Sequence, residues 1–110
     1  GVDVSKAKVW VCEGETDCLT LWKRRKLAVA IMGAEMSAEQ AKILKRLGVC
    51  QVVAALDNPA LDIAGKKGIR IVKNLLTPLG IKVWNVNYGT SQAKDWNEMD
   101  DDAFCKVTLF

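Results

Sequence analysis

Five consecutive apolar residues, Val52-Val53-Ala54-Ala55-Leu56, stop at Asp57 and give way, through Asn58-Pro59-Ala60-Leu61-Asp62, to a helical pattern from Ile63 onward. An unbroken apolar run of this length fits a strand buried on both faces, as in a parallel sheet. Parallel strands need crossover helices, so this one run constrains the whole fold. A second stop of the same kind comes early, where Val9-Trp10-Val11-Cys12 ends in Glu13-Gly14. In open α/β sheets, ligands bind beyond the carboxyl ends of the strands. If the two strands are neighbours, their terminal carboxylates converge and can hold a divalent cation.

The rest of the chain supplies the alternation that this requires. Strand one is expected at about 7–12 and helix one from Glu15 to Lys23, with Cys18, Leu19 and Trp22 at helical spacing. The run Lys23-Arg24-Arg25-Lys26 closes that helix, either as a solvated cap on its dipole or as a phosphate contact. Strand two follows at Leu27–Ile31. Ser37 and Gln40 have the spacing of a capping box, so helix two starts there; Ala41, Leu44 and Leu47 form its apolar stripe, and Gly48 ends it. Strand three is Gln51–Leu56. Helix three spans about Ile63 to Pro78, with Ile69, Val72, Leu76 and Leu79 on one side and Lys66, Arg70 and Lys73 on the other. Gly80 turns the chain into strand four, Ile81–Val86. The pattern predicts a three-layer α/β/α domain with a four-stranded, mainly parallel sheet. With strand one beside strand three, the strand order is 2-1-3-4 and both acidic stops flank the switch point.

The chain has 110 residues, a length suited to one domain, and half of them are hydrophobic, enough for a core. A net charge of +3 permits nucleic-acid binding without demanding it. No apolar run reaches transmembrane length and no signal peptide is visible. Cys12, Cys18, Cys50 and Cys105 lack zinc-type spacing and there is no histidine, so reduced, buried thiols and a cytoplasmic location are expected.

Glu13, Asp57 and Asp62 suit Mg²⁺, which takes one or two protein carboxylates plus substrate phosphates. Asp62 is equally placed as the N-cap of helix three. Asp17 falls on helix one, as a surface group or one standing behind the ligands. The stretch from Asn85 to Glu98 has the composition of a loop that leaves strand four at the same edge. Within it, Asp95 could cap a short helix at about 96–104, and Trp96 is either a core anchor or a stacking surface, the core being the safer expectation. Residues 105–110 form an edge strand or a cut end.

These motifs together resemble the Toprim domain, most closely that of the bacterial and phage (DnaG-type) DNA primases. Glu13-Gly14-Glu15-Thr16-Asp17 resembles the family's strand ending in Glu-Gly with an Asp three residues on. Gly33-Ala34-Glu35-Met36-Ser37-Ala38-Glu39-Gln40 resembles the primase segment after the second strand, and Asp62-Ile63-Ala64-Gly65-Lys66-Lys67 its entry into the third helix. Lys94-Asp95-Trp96-Asn97 resembles the Lys/Glu-Asp-Pro-Asp segment, with Asn97 where an acid often stands. The family's Asp-x-Asp is here interrupted, either by a three-residue insertion that makes Asp62 the second Asp, or by loss of that Asp.

The resemblance covers about residues 7–104. It implies one Toprim domain spanning 1–110, cut from a longer primase-like protein, that uses Mg²⁺ or Mn²⁺ for nucleotidyl transfer in RNA primer synthesis. By this likeness Glu13 and Asp57 are catalytic, and Glu13, Asp57, Asp62 and Asp95 hold metal. Lys66, Lys67, Arg70 and Lys94 contact phosphate or nucleic acid. The implied partners are a DNA template, an RNA primer, nucleoside triphosphates and a replicative helicase, with no membrane. A small Toprim nuclease and a non-catalytic nucleic-acid or nucleotide-binding module are the alternatives.

Overall fold

Strand β1 (Lys8–Cys12) is buried from its second residue to its last, and β3 (Gln51–Ala54) from its second onward. Two such strands cannot stand at an edge. They pair in parallel at the centre of a four-stranded sheet, Lys8 opposite Gln51 and Val11 opposite Ala54. Strand β2 (Ala28–Ala30) lies outside β1, and β4 (Lys82–Trp84) outside β3, both parallel, giving the order β2-β1-β3-β4. This is the order expected from the sequence. The structure is a computed structural model that describes residues 3–33, 35–57, 63–89, 91, 93 and 95–110, with backbone only at 63 and 64.

The strands alternate their side chains between two apolar layers. Val9, Val11, Val52, Ala54 and Leu56 pack under α2 (Ala38–Arg46) and α3 (Ile63–Leu76), against Leu44, Val72 and Leu76. Trp10, Cys12, Val53 and Ala55 pack on the opposite side, against Cys18 and Leu21 of α1 (Glu15–Lys23) and against Tyr88, Trp96 and Met99. Each fully buried Val or Leu contributes about 1.5–3 kcal/mol, so both layers are needed to fix the sheet. The fold is the three-layer α/β/α sandwich, and Trp96 is a core residue.

The helix ends follow local chemistry. Ser37 caps α2 by accepting from the Gln40 amide at 3.1 Å, while the Gln40 side chain accepts from the Ser37 amide at 2.9 Å. Gly48 and Gly80 take left-handed backbone angles after α2 and after the 3₁₀ turn Thr77–Leu79 that extends α3. Two apolar stripes differ from expectation. On α1 the inward positions are Asp17, Cys18 and Leu21, and Leu19 and Trp22 face outward. The Trp22 indole N–H instead donates to the Ala28 carbonyl at 2.8 Å. Leu47, one residue past the end of α2, is 63% exposed, because the last turn no longer faces the sheet.

Strand four is also shorter than expected. Asn85 exchanges two backbone bonds with Phe110, at 2.7 and 3.0 Å. Beyond it, β5 (Val86–Asn87) pairs antiparallel with β6 (Thr108–Leu109) in a separate two-stranded sheet. The short helix α4 is Asp101–Cys105, capped by Asp100 through the Ala103 amide at 2.8 Å. Of the four thiols, Cys12 and Cys18 are buried and Cys50 and Cys105 exposed; all are free. Burial pushes the Cys12 thiol up to about 12, so it is inert at neutral pH. Among the described residues, no helix is long and apolar enough to cross a membrane.

Candidate metal centre

At the carboxyl edge, β1 runs out at Cys12 and the chain turns through Glu13 and Gly14 into α1. Gly14 is the N-cap residue in an extended conformation, and its carbonyl accepts the Cys18 amide at 3.1 Å. A Cβ on Gly14 would meet nothing within 4 Å, so the space above this turn is open. The Glu13 carbonyl accepts the Met32 amide at 2.8 Å and the Gly33 amide at 3.3 Å, which ties the β2 turn to the end of β1. One carboxylate oxygen of Glu13 is shielded from solvent.

The end of β3 is held more elaborately. The Ala55 amide donates to Val11, while the Trp96 indole N–H donates to the Ala55 carbonyl at 2.7 Å. The Tyr88 hydroxyl donates to the Leu56 carbonyl. Two carbonyls that leave the parallel ladder thus receive side-chain donors, which avoids the cost of burying them unpaired. The Asp57 carbonyl in turn is closed over by α3. A Cβ built on Gly65 would overlap that oxygen and lie 3.1 Å from the carbonyl carbon, so only glycine lets the helix approach so near. Asp57 therefore projects from a backbone fixed on three sides.

Asp17 and Asp95 complete the edge. Asp17 lies in the first turn of α1, is only 7% exposed, and accepts the Asn97 amide at 3.3 Å. Asp95 accepts the Glu98 amide at 3.0 Å, capping the turn that carries Trp96. Asp17, Asp57 and Asp95 each place a carboxylate oxygen so that all three atoms lie within 4.8 Å of one another. Glu13, Gly14, Met32 and Gly33 line the same open depression as these three acids. Burial, and next the negative charge of Asp95, raise the Asp17 pKa, against the backbone amides of Asn97 and Trp96 that lower it. Burial also raises that of Tyr88, followed by the charges of Asp57, Asp17 and Glu13, so Tyr88 stays a neutral donor.

The structure thus gathers Glu13, Asp57 and Asp95 from three distant stretches of chain. Asp17, expected on the surface of helix one or behind the ligands, is buried and belongs to the triplet. The signal for it was the inward face of α1, where Asp17, Cys18 and Leu21 follow Gly14 at spacings of three, four and seven. Lys66, Lys67 and Arg70 are exposed on α3, and Lys67 pairs with Glu35 at 3.1 Å. Asp62 and Lys94 lie outside the described residues.

The donor set fits a hard cation. Carboxylate oxygens are the ligands Mg²⁺ and Mn²⁺ prefer. Opposite ligands of an octahedral Mg²⁺ shell stand about 4.2 Å apart. Neighbouring ligands stand about 3.0 Å apart, so the three oxygens draw together around a bound cation or reach it through the waters that Mg²⁺ retains.

Residues 10–100 match the protein family described as Toprim-like. The fold is similar to the crystal structure of the Aquifex aeolicus primase (zinc-binding and RNA polymerase domains), with a TM-score of 0.72 and 19% sequence identity. That similarity covers 97% of this chain and 27% of the primase chain, so this chain spans about a quarter of the protein it resembles. No curated protein matches the sequence.

Proposed function

The chain belongs to the Toprim-like family, and on that premise we propose that it is the metal-dependent nucleotidyl-transfer domain of a DNA primase, one part of a longer cytoplasmic protein. The observation that carries this reading is the meeting of Asp17, Asp57 and Asp95 at the carboxyl edge of the sheet, beside Glu13. The fold shared with the Aquifex aeolicus primase supports primase chemistry over other uses of such a site. In this reading Asp57, Asp95 and Asp17 hold Mg²⁺ or Mn²⁺, and Asp62 adds a further carboxylate. A bound cation there supplies charge neutralisation of a triphosphate and orientation of its reacting phosphorus.

The chain's own residues do the rest. Glu13, which lines the same depression as the triplet, accepts the proton of the attacking 3′-hydroxyl or serves as a further ligand. The open space above Gly14 admits the phosphate chain. Lys66 and Arg70 neutralise nucleotide or nucleic-acid phosphate from α3, and Lys94 adds a further cation. Lys67 joins them when its pair with Glu35 opens. Tyr88 and Trp96, by fixing the Leu56 and Ala55 carbonyls, hold Asp57 in place.

The test is extension of an RNA primer on a DNA template by the purified chain with nucleoside triphosphates and Mg²⁺ or Mn²⁺. Extension abolished by EDTA and by Asp57→Asn is expected. Cleavage of the oligonucleotide without extension would replace this reading with a Toprim nuclease. Salt-sensitive binding without either reaction would replace it with a binding module.

A further inference from the structure

The opposite, amino edge of the sheet carries a second charged surface that the metal chemistry does not use. Lys8, Gln51 and Lys82 open β1, β3 and β4 in one register row. The Lys8 ammonium lies 5.0 Å from the centre of the Trp84 ring, and that of Lys82 lies 3.8 Å from the same ring. Two like charges thus lie against one aromatic ring. Around the corner, Lys8 lines a depression with Trp10, Trp22, Arg25, Lys26 and Leu109. The Lys26 ammonium lies 5.2 Å from the Trp10 ring. Among the described residues none of Lys8, Arg25, Lys26 and Lys82 forms an ion pair. Like charges crowded together without a carboxylate gain from an anion that joins them.

Two further features point to the kind of anion. Trp22 is 54% exposed, yet its indole N–H is committed to the Ala28 carbonyl, so the ring is a fixed aromatic platform in water. Arg25 holds a left-handed backbone with φ of 62°, at the position after a helix where glycine is usual. An arginine there costs on the order of 1 kcal/mol and directs its side chain off the end of α1. Its neighbour Arg24 is used differently: it stacks on Phe104 at 4.6 Å and donates to the Met99 carbonyl at 2.7 Å, tying α4 to α1. Cations that track a backbone, beside an exposed ring on which a base can stack, form the surface that single-stranded nucleic acid recognises.

We propose that this amino edge, built from Lys8, Trp22, Arg25, Lys26 and Lys82, binds single-stranded nucleic acid without a metal and separately from the carboxylate site. The contact is independent of sequence, since both phosphate and stacking contacts are available to any base. It goes beyond the nucleotidyl-transfer reading, and it stands if that reading fails.

The experiment is fluorescence anisotropy of a labelled oligodeoxythymidine of about 15 nucleotides, titrated with the chain in EDTA over a range of salt. Lys8→Gln with Lys26→Gln should lower the slope of log affinity against log salt by about 1.4, as expected for two phosphate contacts to a single strand. Trp22→Ala should weaken binding about tenfold at fixed salt, and Trp22→Phe, which keeps a stacking face, should restore most of it. Thermal melts of each variant verify the fold, and the Asp57→Asn variant should bind as the parent does in EDTA. Parental affinity and salt slope in the lysine variant would overturn the proposal. So would binding lost through Lys66 and Lys67 replacement instead, or equal loss in Trp22→Ala and Trp22→Phe.

Discussion

The two edges of the same sheet are built by opposite rules. At the carboxyl edge, the acids that follow β1 and β3 meet those of α1 and the 95–98 turn, and the backbone beneath them is fixed by Tyr88, Trp96 and Gly65. At the amino edge, lysines start the strands and lean on tryptophan rings, and among the described residues they form no ion pair. The first arrangement is rigid and pays an electrostatic cost that a cation relieves. The second consists of long side chains over aromatic faces and adapts to whatever anion arrives. Parallel topology makes the division possible, because all the strand ends of one polarity fall on one side.

The largest expected effect comes from breaking one edge alone. Asp57→Asn should lower metal-dependent extension by about a hundredfold or more, while leaving EDTA-insensitive oligonucleotide binding unchanged. Primer extension and anisotropy on the same preparation check this, and a parallel loss of both would merge the two edges into one site.

Next in size is Gly65→Ala. Its methyl group meets the Asp57 carbonyl, a backbone atom that cannot swing away. Overpacking of this kind costs about 1–3 kcal/mol. The variant should melt lower and bind Mg²⁺ more weakly than the parent, with the amino edge intact. Normal Mg²⁺ affinity would mean that α3 shifts freely and does not position Asp57.

Tyr88→Phe removes the donor to the Leu56 carbonyl and leaves that buried acceptor without it. The expected cost is about 1–2 kcal/mol in a denaturant melt. An unchanged midpoint would show that the hydroxyl does not help to hold the end of β3.

The smallest effect concerns Asp17 and pH. Its folded pKa lies above the ordinary value of 3.8. A carboxyl raised in this way contributes stability that is present below that ordinary value and is lost as pH rises through the folded one. At neutral pH its ionised form is therefore a cost to the metal-free fold. Asp17→Asn should raise the metal-free Tm slightly at pH 7, and the gain should shrink on acidification toward pH 4. A variant that is less stable at pH 7 would mean that the bond from the Asn97 amide outweighs burial.

Much of this design is legible in the sequence because it rests on local chemistry. The capping box at Ser37 and Gln40, the left-handed glycines 48 and 80, and the bounds of α1 follow from short-range rules. The strand order follows from two apolar runs that each stop at an acid. Reading failed where tertiary packing decided. The inward face of α1 includes a carboxylate, so its apolar periodicity pointed to Leu19 and Trp22 instead of Leu21. Pairing of β5 with β6 joins stretches twenty residues apart with only two residues each, too short for any pattern. The clamp on β3 by Tyr88 and Trp96 depends on a loop whose composition says only that it is a loop. The approach of Gly65 to Asp57 is visible only once α3 is docked.

The claim on which the rest depends is that the gathered carboxylates hold a cation. The most direct measurement is the Tm of the chain in EDTA and in rising Mg²⁺, for the parent and for Asp57→Asn. A ligand that binds only the folded state adds about 2.7 kcal/mol at a hundredfold excess over Kd, which for a chain of this size raises Tm by about 10 °C or more. The account predicts that rise in the parent and its near disappearance in Asp57→Asn, whose Tm in EDTA should be no lower than the parent's. A parent Tm that ignores Mg²⁺ and Mn²⁺, or an equal rise in both proteins, would contradict it.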